Sequence, residues 1–551
     1  MRLMLSKTRR LAARLVALGR REDGFTMVAL SGVMLIVGLA SIAAIAAADG
    51  DTPLTGDDVD RKEAYSAAEA GLNWYRFRLD RNTQYYGECV GAPVFKDAGS
   101  DAAQRANLKA NAKALPGSSA SYAIELLDYT ECSIPGGGTG VKATISPTSG
   151  TFRVRVTGYS GGAKRSIVAN VRRRGFLDFL YFTDYETLDP QLFNPANQTT
   201  CSRYARDSRP GSPTCRDIQF VSGDTVAGPL HTNDRLLICG TPAFGRSADD
   251  AIEMEGPTPG WTGAVCFPNT PNFFAGQPKA GAAHVGMPPT NTTLAVIAQQ
   301  GGLRFQGRTQ IELEGTGMRV TGTEVLSSGA TQVRTDELMS LPPNGVIWVG
   351  NTPAACTSNA YIPANPNSSA AGCADVYLRG NYSEDLTIAS EKDIIIAPRG
   401  APGATTGTPP RGDVTRNGDV LLGLIANNFI RIYHPITGNR QVGEDNGNCT
   451  NSNGAGSMTG GVVIDAAILS LQHSFFVDSW DCGAKMGNIT VNGAIAQKFR
   501  GPVGTSGGSG TGYFKSYNYD DRFRFRSPPY FLDPIQSPWR LGRVNEQVPA
   551  P

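Results

Sequence analysis

The chain has 551 residues, of which glycine (65) and proline (35) make 100. That share, about 18%, lies below the roughly 25–30% of a low-complexity chain. With 22 Phe, 18 Tyr and 5 Trp spread along its length, the chain has the material for a sizeable core. The net charge of +2 is uneven: residues 1–24 carry seven basic against two acidic groups, a surplus of +5, while the rest carries 44 basic and 47 acidic groups, a deficit of −3. A faintly acidic body with scattered charge excludes the electrostatic footprint of a nucleic-acid binder.

Residues 25–48, FTMVALSGVMLIVGLASIAAIAAA, are uncharged. As a helix, a stretch of this length rises about 36 Å, enough to cross a hydrocarbon core of about 30 Å. The basic segment 1–24 should then stay cytoplasmic, with everything beyond Asp49 sent across. The expectation is a single-pass membrane protein with a cytoplasmic N-terminus, the membrane as a partner, and an extracytoplasmic body at the cell surface or on a pilus. A plain anchor and a secretory signal cut near Ala46–Ala48 remain alternatives.

The residues before the apolar run, Arg20-Arg21-Glu22-Asp23-Gly24, followed at once by Phe25-Thr26-Met27, resemble a type IV prepilin leader. The resemblance implies a prepilin peptidase as partner, cleavage after Gly24, a new and methylated terminus at Phe25, and a retained helix that packs among other pilin-like subunits. Most pilins have glutamate at the fifth mature position; here it is Ala29. By analogy with subunits lacking that carboxylate, this departure points to a minor or tip subunit.

Residues 49–56, with Gly50, Pro53 and Gly56, are expected to break the helix, and Thr55-x-x-Asp58 offers a capping-box-like restart. From Asp57 to about Arg81, Tyr65, Ala68, Leu72, Tyr75 and Leu79 recur on one helical face. The string from Ala64 to Leu72, AYSAAEAGL, is similar to the juxtamembrane helix of PilX-type minor pilins. Ala29, Tyr65, Glu69 and Leu72 are thereby marked as assembly-helix positions.

Ten cysteines occur, all from residue 89 onward. An even number confined to the segment expected outside the cytosol suggests disulfides. Neighbour pairing would give Cys89 with Cys132, Cys201 with Cys215, Cys239 with Cys266, Cys356 with Cys373 and Cys449 with Cys482. No CxxC occurs, and His231, His284, His434 and His473 lack metal-ligand spacing; no metal and no cofactor are expected.

Beyond residue 118 strand patterns dominate. Tyr122–Leu126, Phe152–Val156 (arginines outward) and Ile167–Val171, with a turn at Gly158–Gly162, predict a small antiparallel sheet after the helix, which is the arrangement of a pilin head. From about 217 to 533, short apolar runs such as Val376–Leu378, Leu386–Ile388 and Ile394–Ile396 recur between glycine- or asparagine-bearing turns. The fold class expected is therefore an α+β pilin-like part, transmembrane helix plus small antiparallel sheet, followed by a mainly β domain: a right-handed parallel β-helix, with a β-sandwich as the alternative. The expected divisions are leader 1–24, span 25–48, break 49–56, pilin-like helix and sheet 57–175, exported β-rich domain 176–533 and tail 534–551. Strings at 228–233 and 492–529 resemble parts of large exported PilX-like proteins.

Two G-x-S-x-G matches, at Ser160 and Ser506, lack the strand–helix context of a nucleophile elbow. His231, Asp234 and Asp224 read as turn-capping residues. Asp375, Arg379, Asp385, Asp393, Asp419 and Arg431 would make an acid–arginine row if their register aligned. Arg411-Gly412-Asp413 is an adhesion tripeptide in other contexts, and the acidic loops at Asp49, Asp51, Asp57 and Asp58 and at Glu444 and Asp445 have calcium-type oxygen chemistry. The expectation is no catalytic site: a non-enzymatic structural component of a type IV pilus or related filament, displaying a large adhesive domain toward a surface glycan or cell-surface ligand. The alternative is an anchored β-helix that binds or cuts polysaccharide.

Overall fold

The computed structural model describes residues 27–146, 150–263, 268–356, 361–362, 366–401, 412–438, 449–451, 460–505, 510–535, 539–548 and 550, with the side chains of 27–33 and 38–55 outside the description. Met27–Arg81 forms one continuous α-helix of 55 residues. The break expected over 49–56 and the capping restart at Thr55 are both corrected, since the helix runs through Gly50, Pro53 and Gly56. Proline removes one backbone hydrogen bond and weakens a helix. The later turns here are held from outside, by docking of Ala64, Leu72, Tyr75 and Leu79 into a core. The expected membrane span is also corrected: among the described residues no helix is long and apolar enough to cross a membrane. The single-pass localisation falls with it.

A six-stranded sheet receives the helix. Its order is Val94–Lys96, Ser121–Leu126, Thr151–Ser160, Ala163–Arg173, Trp539–Gln547, with Lys113–Ala114 also on Ser121–Leu126. All pairs are antiparallel except the first, where Val94 faces Ile124 in a parallel ladder. The turn between the two longest strands is only Gly161-Gly162, because Ser160 already pairs with Ala163. Gly161 takes a φ of +51°, which suits glycine. The segment read as a tail thus supplies an edge strand to the first sheet, and its Trp539 packs against Phe152 and Tyr86 with ring centroids 5.3 and 5.2 Å away.

The remainder is built on a 22-stranded sheet. In one ladder Tyr181–Thr183 pairs in parallel with Leu230–Thr232, which pairs with Ile252–Met254, which leads to Lys279–Ala280. On its other edge Tyr181 meets Ile495, and from there the same ladder passes through Ala467–Ser470, Leu422–Ala426, Leu386–Ser390 and Val346–Gly350 to Leu303–Gln306. The chain therefore builds outward from a seam at Tyr181, crosses to the opposite end, and works back to close the seam with Ile495. The crossing segment lies over this ladder: Val285 and Leu294 pack with Phe182, Ala389, Ile425, Leu469 and Ala496. Asn291 donates to the carbonyls of Ser390 and Ile425. A short helix, Thr292–Gln299, completes the crossing. A common core of Leu, Ile, Val and Phe fills the interior between the ladders.

The expected fold class is corrected accordingly. The chain is mostly β, 42% strand and 16% helix. Its body is one mixed sheet in which parallel ladders carry an antiparallel excursion, Leu303–Gly315 to Gly317–Val325 to Thr331–Ser340, in place of the expected right-handed parallel β-helix or β-sandwich. Period-two alternation tells which side chains face inward, and this holds for any sheet architecture.

Candidate assembly surface

The motif string on the long helix is explained by how closely the helix approaches the sheet. Ala64, Ala67 and Ala68 are fully buried. A Cβ on Gly158, in the facing strand, would stand 1.9 Å from the Ala64 carbonyl oxygen, and a Cβ on Gly71 would stand 2.6 Å from Tyr122 and Val156. Small residues on both sides let the two backbones touch. Leu72, Tyr75 and Leu79 continue the buried face, where Tyr75 lies 5.7 Å from Tyr85 and 6.2 Å from Phe152 between ring centroids. Burial pushes the Tyr75 phenol well up. Tyr65 is half-buried and Glu69 is exposed. Sequence periodicity picks out the large residues of this face; Ala64, Ala67 and Gly71 complete it and carry almost no hydropathy signal of their own.

The docked part begins at Asp60 and Glu63, both accepting from the Ser160 hydroxyl, at 3.4 and 2.8 Å. Ser160, the first of the two G-x-S-x-G serines, is thus a strand-end residue bound to carboxylates. Toward its N-terminal end Met34, Leu35, Ile36 and Val37 are 59–69% exposed on four successive positions, which covers every side of that turn. A helical turn that is apolar on every side is built to be surrounded. Beside the docked part, Asp58, Arg61, Lys62, Tyr65, Ser66, Arg165 and Glu546 line an open groove of about 510 Å³. Arg165 pairs with Glu546, so the C-terminal strand contributes to the groove. Gly24 and Phe25 lie outside the described residues; Ala29 is in the helix, its side chain outside the description.

Disulfides join Cys89 to Cys132, Cys201 to Cys215, Cys356 to Cys373 and Cys449 to Cys482. Cys239 is disulfide-bonded as well, and Cys266 lies outside the described residues.

The acid–arginine row is dispersed. Arg379 pairs with Glu312, Asp375 with Lys392, Asp385 with Arg526, and Asp419 with Arg522 and Arg526. Asp393 and Arg431 do meet, at 3.1 Å, and Arg431 also reaches Asp478 at 2.6 Å. This triad is closed to solvent. Burial pushes both carboxyls up and the guanidinium pulls them back. Asp478 further accepts from the Tyr361 hydroxyl at 2.9 Å, a partner that spacing does not reveal. The arrangement is a structural tie between neighbouring strands, with no open face for a saccharide.

His231 is buried and stacks on Phe182, with centroids 5.7 Å apart. Burial and the nearby Arg174 push its ring down to about 3. Asp234 accepts from the backbone N–H groups of Glu186 and Ala205 and from Arg209. Asp224 caps Val221 and pairs with Lys515. The three do not converge on one point. Ser506, Arg411, Glu444 and Asp445 lie outside the described residues, as do the side chains of Asp49 and Asp51. Asp413 accepts from the Val463 N–H. Among the described residues no three His, Cys, Asp or Glu side chains are grouped to hold a metal ion.

No family model matches the chain, and no curated protein matches it. Among solved structures it is similar to the competence-associated pilin ComZ from Thermus thermophilus, at 13% identity over 89% of this chain and 97% of that one, with a TM-score of 0.28. Two chains with so low a TM-score do not share an overall superposition.

Proposed function

We propose that this protein is a non-enzymatic, pilin-like structural subunit, a minor or tip component of a type IV pilus or related filament, and that the large β body is what it displays. The observation that carries this reading is the helix Met27–Arg81. From Asp60 onward it is cemented to a sheet by small residues, and farther toward its start Met34, Leu35, Ile36 and Val37 point apolar side chains outward on successive positions. Such a half-docked rod has a use when sister helices enclose it. The disulfides add an oxidising compartment. In this reading the chain is cut by a prepilin peptidase after Gly24, Phe25 becomes its terminus, and Ala29 in place of glutamate suits a position where ordinary stacking is not required. The partners are other pilin-like subunits, and the ligand of the displayed body is a surface glycan or another cell-surface molecule.

Mass spectrometry of the mature chain, with and without Gly24→Ala, tests the processing step. The expected N-terminus is Phe25 in the native chain and an unprocessed one in the variant. Ile36→Asp tests assembly: the subunit should still fold, with its disulfides intact, and disappear from sheared filaments probed with gold-labelled antibody. Native filaments free of the label would refute the reading.

A further inference from the structure

The antiparallel excursion of the body ends in a strand with a free edge. Thr331–Ser340, ten residues long, pairs on one side with Gly317–Val325; among the described residues no strand pairs with its other side. Val333 and Leu338 on it are 73% and 60% exposed. A long exposed edge of this kind is a template for a further strand.

The sequence of that edge, TQVRTDELMS, is complementary to itself when run backwards. Laid antiparallel on a second copy about a two-fold axis between Thr335 and Asp336, it sets Val333 opposite Leu338 and Arg334 opposite Glu337, twice each. Apolar and opposite-charge pairs across an antiparallel ladder each stabilise by roughly 0.2–1 kcal/mol. Sliding the register to centre on Arg334 or on Glu337 puts like charges face to face.

Geometry agrees with composition. Val333 pairs with Thr323 and Leu338 with Arg319, while Arg334 pairs with Gly322 and Glu337 with Val320. The six residues Val333 to Leu338 thus span five on the neighbour, Thr323 to Arg319, the extra one being absorbed by a bulge at Thr335-Asp336, where Asp336 has a φ of +48°. Because the neighbour alternates regularly, Val333 and Leu338 lie on one face and Arg334 and Glu337 on the other. By the same parity, each pair points its backbone hydrogen-bonding groups to the same side of the strand. The bulge, which in isolation discourages edge pairing, here sits on the axis and keeps the two halves in phase. Arg334 is already oriented at this edge by Glu324 and Glu337, at 2.8 and 2.6 Å.

We propose that Thr331–Ser340 is a homotypic docking edge: two copies of this chain join through it as an antiparallel, two-fold-related strand pair, with Val333 of one copy opposite Leu338 of the other. A single strand pair is smaller than a standard interface, so the association is weak and suited to lateral contact between displayed bodies held at high local concentration.

The test uses the absence of free cysteines among the described residues. Full-length Val333→Cys and Leu338→Cys chains are prepared separately, mixed, and oxidised. The mixed sample should give a disulfide-linked dimer joining 333 to 338, at least tenfold above either variant alone. Equal linking in all three samples indicates random collision and overturns the proposal, and so does no linking in the mixture. Adding Arg334→Glu to both cysteine variants should suppress the mixed cross-link, and adding Glu337→Arg as well should restore it. A cross-link indifferent to both changes overturns the register. Retention of the native disulfides in every variant, read by peptide mapping, separates loss of pairing from loss of fold.

Discussion

The helix-bearing sheet and the ladder-built body exclude water with a different emphasis. In the first, a helix is pressed onto a sheet through alanine and glycine, so backbone nears backbone and the fit depends on atoms that are missing. In the second, neighbouring parallel strands place Ile and Leu in register, and whole charges are buried provided each is matched, as Glu125 and Arg155 also are in the first. Added volume is resisted wherever backbones touch, at Gly158 in the first and at Gly493 and Gly501 in the second. The second is intolerant of unpaired charge.

The largest effect should come from the body's charge. Arg431→Met leaves Asp393 and Asp478 buried without their shared partner and should lower stability by about 3–5 kcal/mol, read from urea unfolding. Replacing all three with apolar or amide groups of similar volume (Arg431→Met, Asp393→Asn, Asp478→Asn) should lose much less. If the triple variant is as damaged as the single one, the triad has a role beyond charge matching.

In the helix-bearing part the comparable break is steric. Gly158→Ala adds one carbon where 1.9 Å separates it from the Ala64 carbonyl oxygen, and should weaken helix docking by about 2 kcal/mol. Amide exchange in residues 60–79 should accelerate while the body's protection is unchanged. Equal acceleration in both would show the two regions to be one cooperative unit.

The smallest effect near neutral pH comes from protons, and it grows with acidity. His231 has its pKa lowered from 6.5 to about 3 by burial, so the unfolded chain takes up a proton in that window while the folded one does not. Stability is full above pH 6.5 and is lost as pH falls toward 3. Asp533, at the junction of the two regions, has its pKa raised from 3.8 to about 6 by burial. Its contribution has the opposite sign, full below pH 3.8 and lost as pH rises through 6. Urea midpoints measured across pH 3–7 should therefore show a shallower acid slope for His231→Gln and a steeper one for Asp533→Asn.

Much of the local structure was readable from residues. Tyr122–Leu126, Phe152–Val156 and Ile167–Val171 all fall within strands, and Leu72, Tyr75 and Leu79 lie on the buried side of the helix. Arg155, read as outward, is instead buried against Asp97 and Glu125, because a carboxylate brought in by another strand is invisible to alternation. The helix continuing through Pro53 was hidden for a related reason: local propensity counts the lost hydrogen bond and not the docking farther along.

By itself the sequence determined which segments are extended, which side chains turn inward, that the cysteines come as an even set beyond residue 89, and that an uncharged stretch precedes a motif-bearing helix. Only the tertiary structure decided which strand lies beside which: that Tyr181 closes against Ile495, that Trp539–Gln547 returns to the first sheet, and that the scattered acids and arginines are used up in separate ties. Side-chain alternation is written residue by residue along the chain, whereas backbone hydrogen bonds are chemically alike at every position, so partners are chosen by the packing of the whole core.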